Sequence, residues 1–224
     1  MSRDIREMQA DDLANPGMLW VGCGEKLWHE PAGSQHQACF NCHGGASSTM
    51  RGVATRYPQI DRAGKRLINL GGRIQQCREQ RQRTAPFTHE SEELLALNAY
   101  VAHQSRGMPS NVAIDGASRQ HFERGAALYQ RRLGQMNLAC THCHDAGWGK
   151  KLGPETISQG HGNAYPIYRL EWQTVGSLQR RFRSCLSGVR AEMLPYGAPE
   201  YADLELYLAW RAGNLPLETP GVRR

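Results

Sequence analysis

The feature that most constrains this chain of 224 residues is a C-x-x-C-H unit that occurs twice. The residues of the two units are Cys39, Cys42 and His43, and Cys140, Cys143 and His144. In such a unit the two thiols form thioethers to a porphyrin, and the histidine that follows becomes an axial ligand of the iron. The sequence therefore predicts a cytochrome with two covalently bound c-type hemes.

Zinc binding and thiol redox chemistry are the other uses of a C-x-x-C pair. A structural zinc site takes two such pairs about 15–20 residues apart, so that four ligands form one tetrahedron. The pairs here begin at Cys39 and Cys140, and each is followed by its own histidine. Heme attachment is therefore favoured over zinc, and also over a thioredoxin-like redox motif.

The composition excludes several other classes of protein. Apolar residues make up 40% of the chain and the mean hydropathy is −0.60, which is typical of a globular protein. No apolar run approaches the roughly 18 residues that a membrane helix needs. The net charge of +6 is not concentrated in a dense basic block. We therefore expect neither membrane insertion nor nucleic-acid binding.

The start of the chain bears on its location. Heme is normally attached outside the cytoplasm, so a precursor should carry an export signal. The residues from Met1 to Glu7 contain no apolar segment of the kind that a signal peptide has. We interpret the chain as a mature form whose signal has been removed, and we expect it in the periplasm.

The two halves of the chain share residues at matching distances from the heme motifs. Upstream, Gly24 and Gly125 lie equally far before Cys39 and Cys140. Downstream, the matching residues are Tyr57-Pro58 and Tyr165-Pro166, Arg73 and Arg181, Cys77 and Cys185, and Glu92 and Glu200. Turn residues at 106–112 indicate a linker. The repeat predicts two cytochrome c-like lobes, residues 1–110 and 111–224.

Local patterns predict a mainly α fold with long heme-wrapping loops. Apolar residues recur at intervals of three and four within 94–102 and 204–209, which indicates two helices with one buried face each. Ser118 is a candidate N-cap for a helix that carries Phe122, Ala126, Tyr129 and Leu133 on one face. Residues 44–72 and 145–175 are rich in glycine and turn residues, and the tail from Asn214 should be extended.

The second axial ligand of each iron lies outside the C-x-x-C-H unit and has to be sought elsewhere in the chain. Cytochromes usually supply histidine or methionine, and Met193 precedes the last predicted helix. The matching residue of the first half is Ala85, so the repeat argues against Met193. Both halves share a cysteine instead, at Cys77 and Cys185. A thiolate is a good ligand for iron, and the metal keeps it deprotonated.

Several alternatives for these cysteines stay open. Either Cys77 or Cys185 could be a small buried residue or one half of a disulfide, with Cys23 as a candidate partner. Cys23 has no counterpart in the repeat, where Arg124 takes its place, and we assign it no role. His161 is the histidine best placed to replace a cysteine ligand. The other histidines are expected in solvent or loops, and they are His29, His36, His89, His103, His121 and His142.

Arg181 precedes Cys185 by four residues, so on a helix both lie on one face. A guanidinium there would lower the pKa of the thiol and bind an oxyanion through paired hydrogen bonds. The alternative is a solvated basic face, because Arg180, Arg183 and Arg190 are close in sequence. A cysteine that is both nucleophile and iron ligand could join sulfur transfer to electron transfer.

Longer strings of the sequence are more specific than the heme motifs. They are Arg51-Gly-Val-Ala-Thr-Arg-Tyr-Pro, Gln104-Ser-Arg-Gly-Met-Pro, Gln159-Gly, Tyr165-Pro-x-Tyr-Arg-Leu-Glu-Trp-Gln, Ser184-Cys-Leu-Ser-Gly-Val-Arg-Ala-Glu, Pro195-Tyr-Gly and Glu200-Tyr-x-x-Leu-Glu-Leu-Tyr-Leu. Through these strings the chain resembles the SoxA family, the catalytic cytochrome subunits of the bacterial SoxAX complex, from about residue 18 to its end. Some members of the family lack the first heme. Because Cys39, Cys42 and His43 are present, this chain is similar to the diheme type.

The resemblance implies a role for each matched residue. It makes His43 and Cys77 the axial pair of the first heme, and it makes His144 and Cys185 the axial pair of the active-site heme. Cys185 would be the catalytic cysteine, found in the family as a persulfide. Arg181 would be the arginine that binds the substrate.

The implied activity is that of an L-cysteine S-thiosulfotransferase. Thiosulfate is joined oxidatively to a cysteine of SoxY in the SoxYZ carrier, giving an S-thiosulfonate and two electrons. SoxX, a small cytochrome with one heme, would bind the chain and receive those electrons. Copper is used by some members of the family and is a possible further cofactor.

Two rival functions come from other classes of protein. A diheme electron carrier without its own substrate explains the heme motifs and the repeat. It does not explain a cysteine as the sixth ligand, because a thiolate lowers the heme potential and blocks the site. A diheme peroxidase needs one heme with an open side, whereas the repeat offers a ligand to both.

Overall fold

A computed structural model describes residues 1–61, 66–153 and 155–224. The described chain is mainly α-helical, as the sequence predicts. Its helices are α1 (Arg3–Ala10), α2 (Met18–His29), α3 (Cys39–His43), α4 (Ala46–Thr49), α5 (Leu70–Cys77), α6 (Glu92–His103), α7 (Arg119–Gln130), α8 (Cys140–His144), α9 (Leu178–Gly188) and α10 (Pro199–Arg211). Short 3₁₀ turns span Ala54–Arg56 and Gly116–Ser118, and a π-helical turn spans Arg78–Gln82.

The strands are short and lie in three small sheets. They are β1 (Gln59–Ile60), β2 (Leu67–Ile68), β3 (Lys151–Leu152), β4 (Glu155–Thr156), β5 (Ile167–Arg169), β6 (Thr174–Gly176) and β7 (Gly221–Arg223). In the largest sheet β5 lies between β6, which is antiparallel to it, and β7, which is parallel to it. The tail predicted to be extended therefore ends as a strand beside Tyr168.

Two long helix pairs form the frame of the molecule, α2 with α6 and α7 with α10. Each pair crosses at a glycine. A Cβ atom on Gly24 would lie 2.1 Å from the carbonyl oxygen of Ala96, and one on Gly125 would lie 2.1 Å from that of Asp203. These are distances that real Cβ atoms do not tolerate. The two matching glycines therefore allow the backbones to approach closely.

Each helix pair encloses its own apolar cluster. Trp28, Leu97 and Tyr100 are buried in the first, and Cys39 packs against them. The second cluster is rich in tyrosine, and Cys140 packs against it. Some of the apolar residues predicted on α6 and α10 belong to these clusters, among them Leu97 and Leu204. The others, such as Leu95 and Leu206, are buried on other sides of the helices, so the burial is not confined to one face as predicted. The first cysteine of each heme motif is thus anchored to a rigid core.

The helices that carry Cys77 and Cys185 both begin with a side-chain cap. Asn69 Oδ1 accepts the backbone N–H of Gly72 at 2.8 Å at the start of α5. Ser177 Oγ accepts that of Arg180 at 3.2 Å at the start of α9. A cap of this kind stabilises a helix by about 1 kcal/mol. Both cysteine-bearing helices therefore have a fixed starting point.

Some local expectations differ from the structure. Ser118 lies in a 3₁₀ turn and its side chain makes no capping hydrogen bond. α7 ends at Gln130, so Leu133 is not on the helix and pairs with Leu138 in a turn instead. The predicted loops contain α4 and β1 to β6, and residues 62–65 and 154 within them lie outside the described residues. In the described part of the chain, no helix has the length and apolar character needed to cross a membrane.

Candidate functional site

The residues predicted to bind heme form two groups. We call Cys39, Cys42, His43 and Cys77 the first cysteine site, and Cys140, Cys143, His144 and Cys185 the second cysteine site. The C-x-x-C-H motif of each site forms a short helix, α3 or α8, and a side chain of the motif accepts the backbone N–H of the residue before that helix. Ala38 N–H donates to Asn41 Oδ1 at 2.7 Å, and Ala139 N–H donates to His142 Nδ1 at 3.0 Å. The variable residue before the second cysteine therefore holds the helical turn.

Each predicted axial cysteine acts electrostatically on the first cysteine of its motif. Burial raises the pKa of the Cys39 thiol, and the charge of Cys77 raises it further. Burial raises the pKa of Cys140 to about 11, with Cys185 as the next contribution. The fold thus brings together residues that are far apart in the chain. In the described chain no disulfide joins any two cysteines, so neither Cys77 nor Cys185 is paired with Cys23.

The His144 ring is held in one orientation. Its Nδ1–H donates to the carbonyl oxygen of Ser158 at 2.7 Å, which leaves Nε2 free to bind a metal. Gly160 has a φ of +74°, and a Cβ atom there would lie 3.1 Å from His144 Cγ. Burial lowers the pKa of His144, and the charge of Arg181 lowers it further. Both effects favour the neutral imidazole that a metal requires.

His43 is positioned by packing. Its ring lies 5.6 Å from that of Trp28, and Trp28 Nε1–H donates to the carbonyl oxygen of Gly44 at 3.0 Å. Among residues 1–61, 66–153 and 155–224, the His43 ring makes no hydrogen bond. The indole therefore supports both the ring and the turn that follows the motif.

In the first cysteine site the arginine four residues before the cysteine is neutralised. Arg73 Nη2 forms an ion pair with Asp61 Oδ1 at 3.4 Å, and Arg73 Nε donates to Tyr57 Oη at 3.4 Å. Asp61 is only 4% exposed, and its other oxygen accepts Gln76 Nε2–H at 2.8 Å. The guanidinium is thus committed to protein partners.

The matching arginine of the second cysteine site has no such partner. α9 is helical from Leu178 to Gly188, so Arg181 and Cys185 lie one turn apart on one face. Within the described residues, the Arg181 guanidinium makes no hydrogen bond or ion pair. Its charge lowers the pKa values of His144 and Tyr165. An unpaired cation therefore lies beside the second cysteine site.

A further cation, which the sequence reasoning missed, is buried close to Tyr165. Arg169 stands four residues after Tyr165, as Asp61 stands four residues after Tyr57. It is 5% exposed, and its Nη2 forms ion pairs with Glu171 Oε2 at 3.3 Å and Glu155 Oε1 at 3.6 Å. Burial raises the pKa of Tyr165 to about 12, against the charges of Arg181 and Arg169. A direct comparison of the two halves would have revealed the exchange of acid for base.

The other arginines of α9 are occupied elsewhere. The Arg180 guanidinium lies 4.4 Å from the ring centre of Trp172. That of Arg183 lies 4.7 Å from the ring centre of Tyr196 and donates to the carbonyl oxygen of Leu194. Arg180 and Arg183 therefore pack against aromatic rings and do not form the solvated basic face that was the alternative.

The residues present fit covalently bound heme. Each site offers two thiols, an imidazole and a further thiol, and beside each site a buried arginine Nε has no hydrogen-bond partner in the described residues, Arg78 at the first and Arg211 at the second. Arg78 is acted on by the charge of Cys39, and Arg211 binds Asp145 at 2.7 Å. Cations with an unsatisfied N–H suit the propionates of a heme.

The two alternative ligands differ in their surroundings, since Met193 is exposed whereas His161 lies close to the second cysteine site. Met193 is 44% exposed in the loop before α10. His161 lines an open cleft with Trp210 and Arg211, and burial, Arg211 and His144 all lower its pKa. The described residues contain no cluster of three or more His, Cys, Asp or Glu side chains that would hold a bare metal ion.

Comparison with known proteins identifies the family. Residues 23–110 match the model of the SoxA/TsdA cytochrome c domain. The L-cysteine S-thiosulfotransferase subunit SoxA of Pseudaminobacter salicylatoxidans is 39% identical over 222 residues, which is 99% of this chain and 78% of the relative. This chain belongs to the SoxA family. The SoxA subunit of Paracoccus pantotrophus is 32% identical over 97% of the chain and 75% of the relative.

The crystal structure of SoxXA from P. pantotrophus has the same fold as this SoxA-family chain. Its TM-score is 0.96 at 30% identity, with 100% of this chain and 84% of that chain covered. The predicted family and the class of L-cysteine S-thiosulfotransferase subunits are confirmed, and a cytochrome c domain implies covalently bound c-type heme. The number of hemes, the individual ligands and the division into two lobes stay predictions.

Proposed function

We propose that this chain joins thiosulfate oxidatively to a cysteine of a carrier protein, SoxY of the SoxYZ pair, at the second cysteine site. The observation that carries the proposal is the unpaired Arg181 guanidinium one helical turn from Cys185. A dianion such as thiosulfate is attracted to an unpaired cation, and a guanidinium binds oxyanions in a forked geometry. The charges of Arg181 and Arg169 both act on Tyr165, and of the two only Arg169 is paired with acids in the described chain.

We assign one c-type heme to each cysteine site. Cys39 and Cys42, and Cys140 and Cys143, would form the thioethers, and His43 with Cys77 and His144 with Cys185 would bind the two irons. When bound, heme would supply an electron acceptor for the reacting sulfur. Arg78 and Arg211 would bind propionates, and the Ser158 carbonyl would keep His144 in the tautomer that binds iron.

The residues of the second cysteine site then divide the reaction into two steps, and the heme and SoxX together would take up the two electrons that the first step releases. Arg181 binds the sulfonate oxygens and orients the outer sulfur of thiosulfate toward Cys185 Sγ. A sulfur–sulfur bond forms between the Cys185 thiolate and that sulfur, and two electrons leave. The carrier thiolate next attacks the same sulfur, the bond to Cys185 breaks, and the Cys185 thiolate is restored. One proton, from the carrier thiol, is released in the sum.

The partners and the architecture follow from the same assignment. We propose that SoxX binds this chain and receives the electrons, since the similar solved structure is that of SoxXA, and that the complex works in the periplasm. The matching helix crossings at Gly24 and Gly125 support two lobes, residues 1–110 and 111–224, derived from one repeat. The mechanism does not require copper.

The test is the transfer of thiosulfate to a carrier cysteine by heme-loaded variants. Cys185→Ala should lower the rate by at least about 10³-fold, because the nucleophile is lost. Cys23→Ala is the matched control, since Cys23 is exposed and has no counterpart in the repeat. Mass spectrometry of the carrier measures the adduct, and the intact mass of each variant measures heme content.

Three outcomes of this test are distinct. Loss of transfer with heme retained supports the proposal. Full transfer by Cys185→Ala contradicts the nucleophile. A wild-type chain that carries two hemes but never modifies the carrier favours the electron carrier without its own substrate.

A further inference from the structure

The two halves meet at a cavity of about 120 Å³. Its lining includes three pairs of residues from matching places, namely Tyr57 and Tyr165, Asn69 and Ser177, and Asn98 and Glu205. The first pair belongs to the Tyr-Pro steps and the second caps the two cysteine-bearing helices. Asn98 and Glu205 match because each lies two residues after the residue whose carbonyl oxygen faces the crossing glycine. That residue is Ala96 in the first helix pair and Asp203 in the second. In that pair alone, a neutral side chain is matched by an acid.

Glu205 connects the two helices that carry the predicted axial cysteines. It is 7% exposed, and Asn69 Nδ2–H donates to its Oε2 at 2.9 Å. Gln179 Nε2–H donates to its Oε1 at 2.9 Å. Asn69 caps α5, which ends at Cys77, and Gln179 lies in the first turn of α9, which carries Cys185. One carboxylate therefore bridges both helices.

The surroundings of Glu205 shift the pKa of its carboxyl group. Burial raises the pKa of Glu205 to about 7, whereas the donors of Asn69 and Gln179 lower it. The Glu90 carboxylate raises it, and Glu90 itself accepts the backbone N–H of Ser177 at 3.4 Å. Glu205 thus changes charge near neutral pH.

The cations on neighbouring elements are bound to other groups. His121 and Arg124 of α7 bind Asp203, Arg180 and Arg183 of α9 contact Trp172 and Leu194, and Arg73 of α5 binds Tyr57 and Asp61. β2 contributes no titratable side chain, and Arg181 acts on His144 and Tyr165. In the described chain, the charged group that acts on Glu205 is therefore Glu90.

We propose that Glu205 is a proton-binding positioning residue that couples the two cysteine sites to each other. The inference rests on the proposed function, because it takes a cysteine-ligated heme to be present at both sites. When either iron gains one electron, Glu205 takes up part of one proton from solvent, and it releases that proton on reoxidation. The carboxylate thereby offsets the added negative charge.

Protonation of Glu205 also changes the hydrogen bonds of its two partner side chains, Asn69 and Gln179. A protonated Glu205 is a donor, and the amide oxygens of its two partners are already engaged. Asn69 Oδ1 accepts from Gly72 N–H at 2.8 Å, and Gln179 Oε1 accepts from Gly197 N–H at 2.8 Å. An amide that rotates to accept the new proton gives up one of these bonds. Charge at Glu205 is therefore linked to the cap of α5 and to the first turn of α9.

Helix geometry sets the size of the effect. At a rise of about 1.5 Å per residue, Gln179 lies about 9 Å along α9 from Cys185, and Asn69 lies about 12 Å along α5 from Cys77. Two charges on the order of 15 Å apart, at an effective dielectric of about 20, change each other's equilibrium constant about fivefold, here for proton binding by Glu205 and for reduction of the iron. Added negative charge raises proton affinity, so ionised Glu205 disfavours reduction. The midpoint potential should therefore fall as pH rises.

The experiment is a spectroscopic redox titration of the heme-loaded full chain from pH 5 to 9. In the wild type we expect the equilibrium constant for reduction to fall about fivefold across this range, which is about 41 mV at 59 mV per tenfold. Glu205→Gln should remove this change. Glu200→Gln, an exposed acid on the same helix, is the matched control and should behave as the wild type.

A second variant decides the case if Glu205→Gln does not load heme. Asn69→Ser keeps a capping oxygen, as Ser177 does in α9, but removes the donor to Glu205. The transition of the potential should then move to higher pH, because the ionised form loses hydrogen bonds. A potential that is independent of pH in the wild type, an unchanged slope in Glu205→Gln, or an unmoved transition in Asn69→Ser overturns the inference. A wild type without two cysteine-ligated hemes in its absorption spectrum instead contradicts the proposed function.

Discussion

The first and second cysteine sites share a backbone plan and differ in charge. In both, a tyrosine precedes proline, and an arginine stands four residues before the cysteine on a capped helix. At the first site, buried Asp61 binds Arg73. At the second, buried Arg169 takes the place of that acid and Arg181 has no partner in the described chain. Because Arg169 is paired with Glu155 and Glu171, the cation left without an acid at the second site is Arg181, which can attract an anion.

This contrast is most sharply tested at the two matching arginines. Arg181→Ala should lower kcat/KM for thiosulfate about 100-fold, since a charge-assisted hydrogen bond contributes about 1.5–3 kcal/mol. Arg73→Ala should change it less than about threefold, because Arg73 is bound to Asp61. Steady-state transfer assays of the heme-loaded variants measure both. Equal losses in the two variants would mean that the sites are not divided into a reactive and a structural one.

The shared part of the plan is tested at the two helix crossings. Gly24→Ala and Gly125→Ala should each lower the free energy of unfolding by about 2 kcal/mol, because the new methyl meets a backbone oxygen. Thermal or denaturant unfolding of the heme-loaded chain measures the change. Gly22→Ala is the matched control on α2, since no atom lies within 4 Å of its Cβ position. Gly22→Ala should leave the free energy of unfolding unchanged or raise it slightly. If only one of Gly24→Ala and Gly125→Ala lowered it, the two helix pairs would not share one packing arrangement.

Substitution of Asp61 or Arg169, the acid and the base that differ between the two sites, should have a smaller effect on thiosulfate binding. Arg169→Gln removes a buried positive charge near Tyr165, and we expect KM for thiosulfate to rise about fivefold. Asp61→Asn is the counterpart at the first site and should leave KM unchanged. Both variants need a measurement of heme content beside the kinetics. A rise in KM for Asp61→Asn of the same size would show that the first site also takes part in binding thiosulfate.

The smallest effect is expected at the two tyrosines. Burial keeps Tyr165 protonated, with a pKa of about 12, so its hydroxyl can donate to an anion beside Arg181. Tyr165→Phe should lower kcat/KM about threefold, as expected for loss of one neutral hydrogen bond. Tyr57→Phe removes only an acceptor for Arg73 and should have no effect on turnover. If Tyr165→Phe retains full activity, the hydroxyl serves packing alone.

The structure also shows which predictions a sequence of this kind supports. The helices at 94–102 and 204–209 were predicted in the right places, and α6 and α10 contain them. The single buried face was wrong, because both helices lie between other elements and are buried on nearly every side. Ser118 does occupy the N-cap position of α7, as predicted, but its side chain makes no capping hydrogen bond. The helix through Leu133 was wrong: propensity at helix ends is weak, and after Gln130 the chain turns so that Leu133 and Leu138 exchange backbone hydrogen bonds.

The sequence by itself determined the features that depend on short spacing. Two thiols and a histidine within five residues are enough to define a heme attachment unit, and four residues on a helix are enough to bring Arg181 beside Cys185. Tertiary structure decided the features that join distant residues. Asn69 and Glu205 are 136 residues apart in the chain, and His144 finds its carbonyl 14 residues away. Neither spacing follows a helical or strand period, so only the folded chain can show that a buried acid lies between the two cysteine-bearing helices.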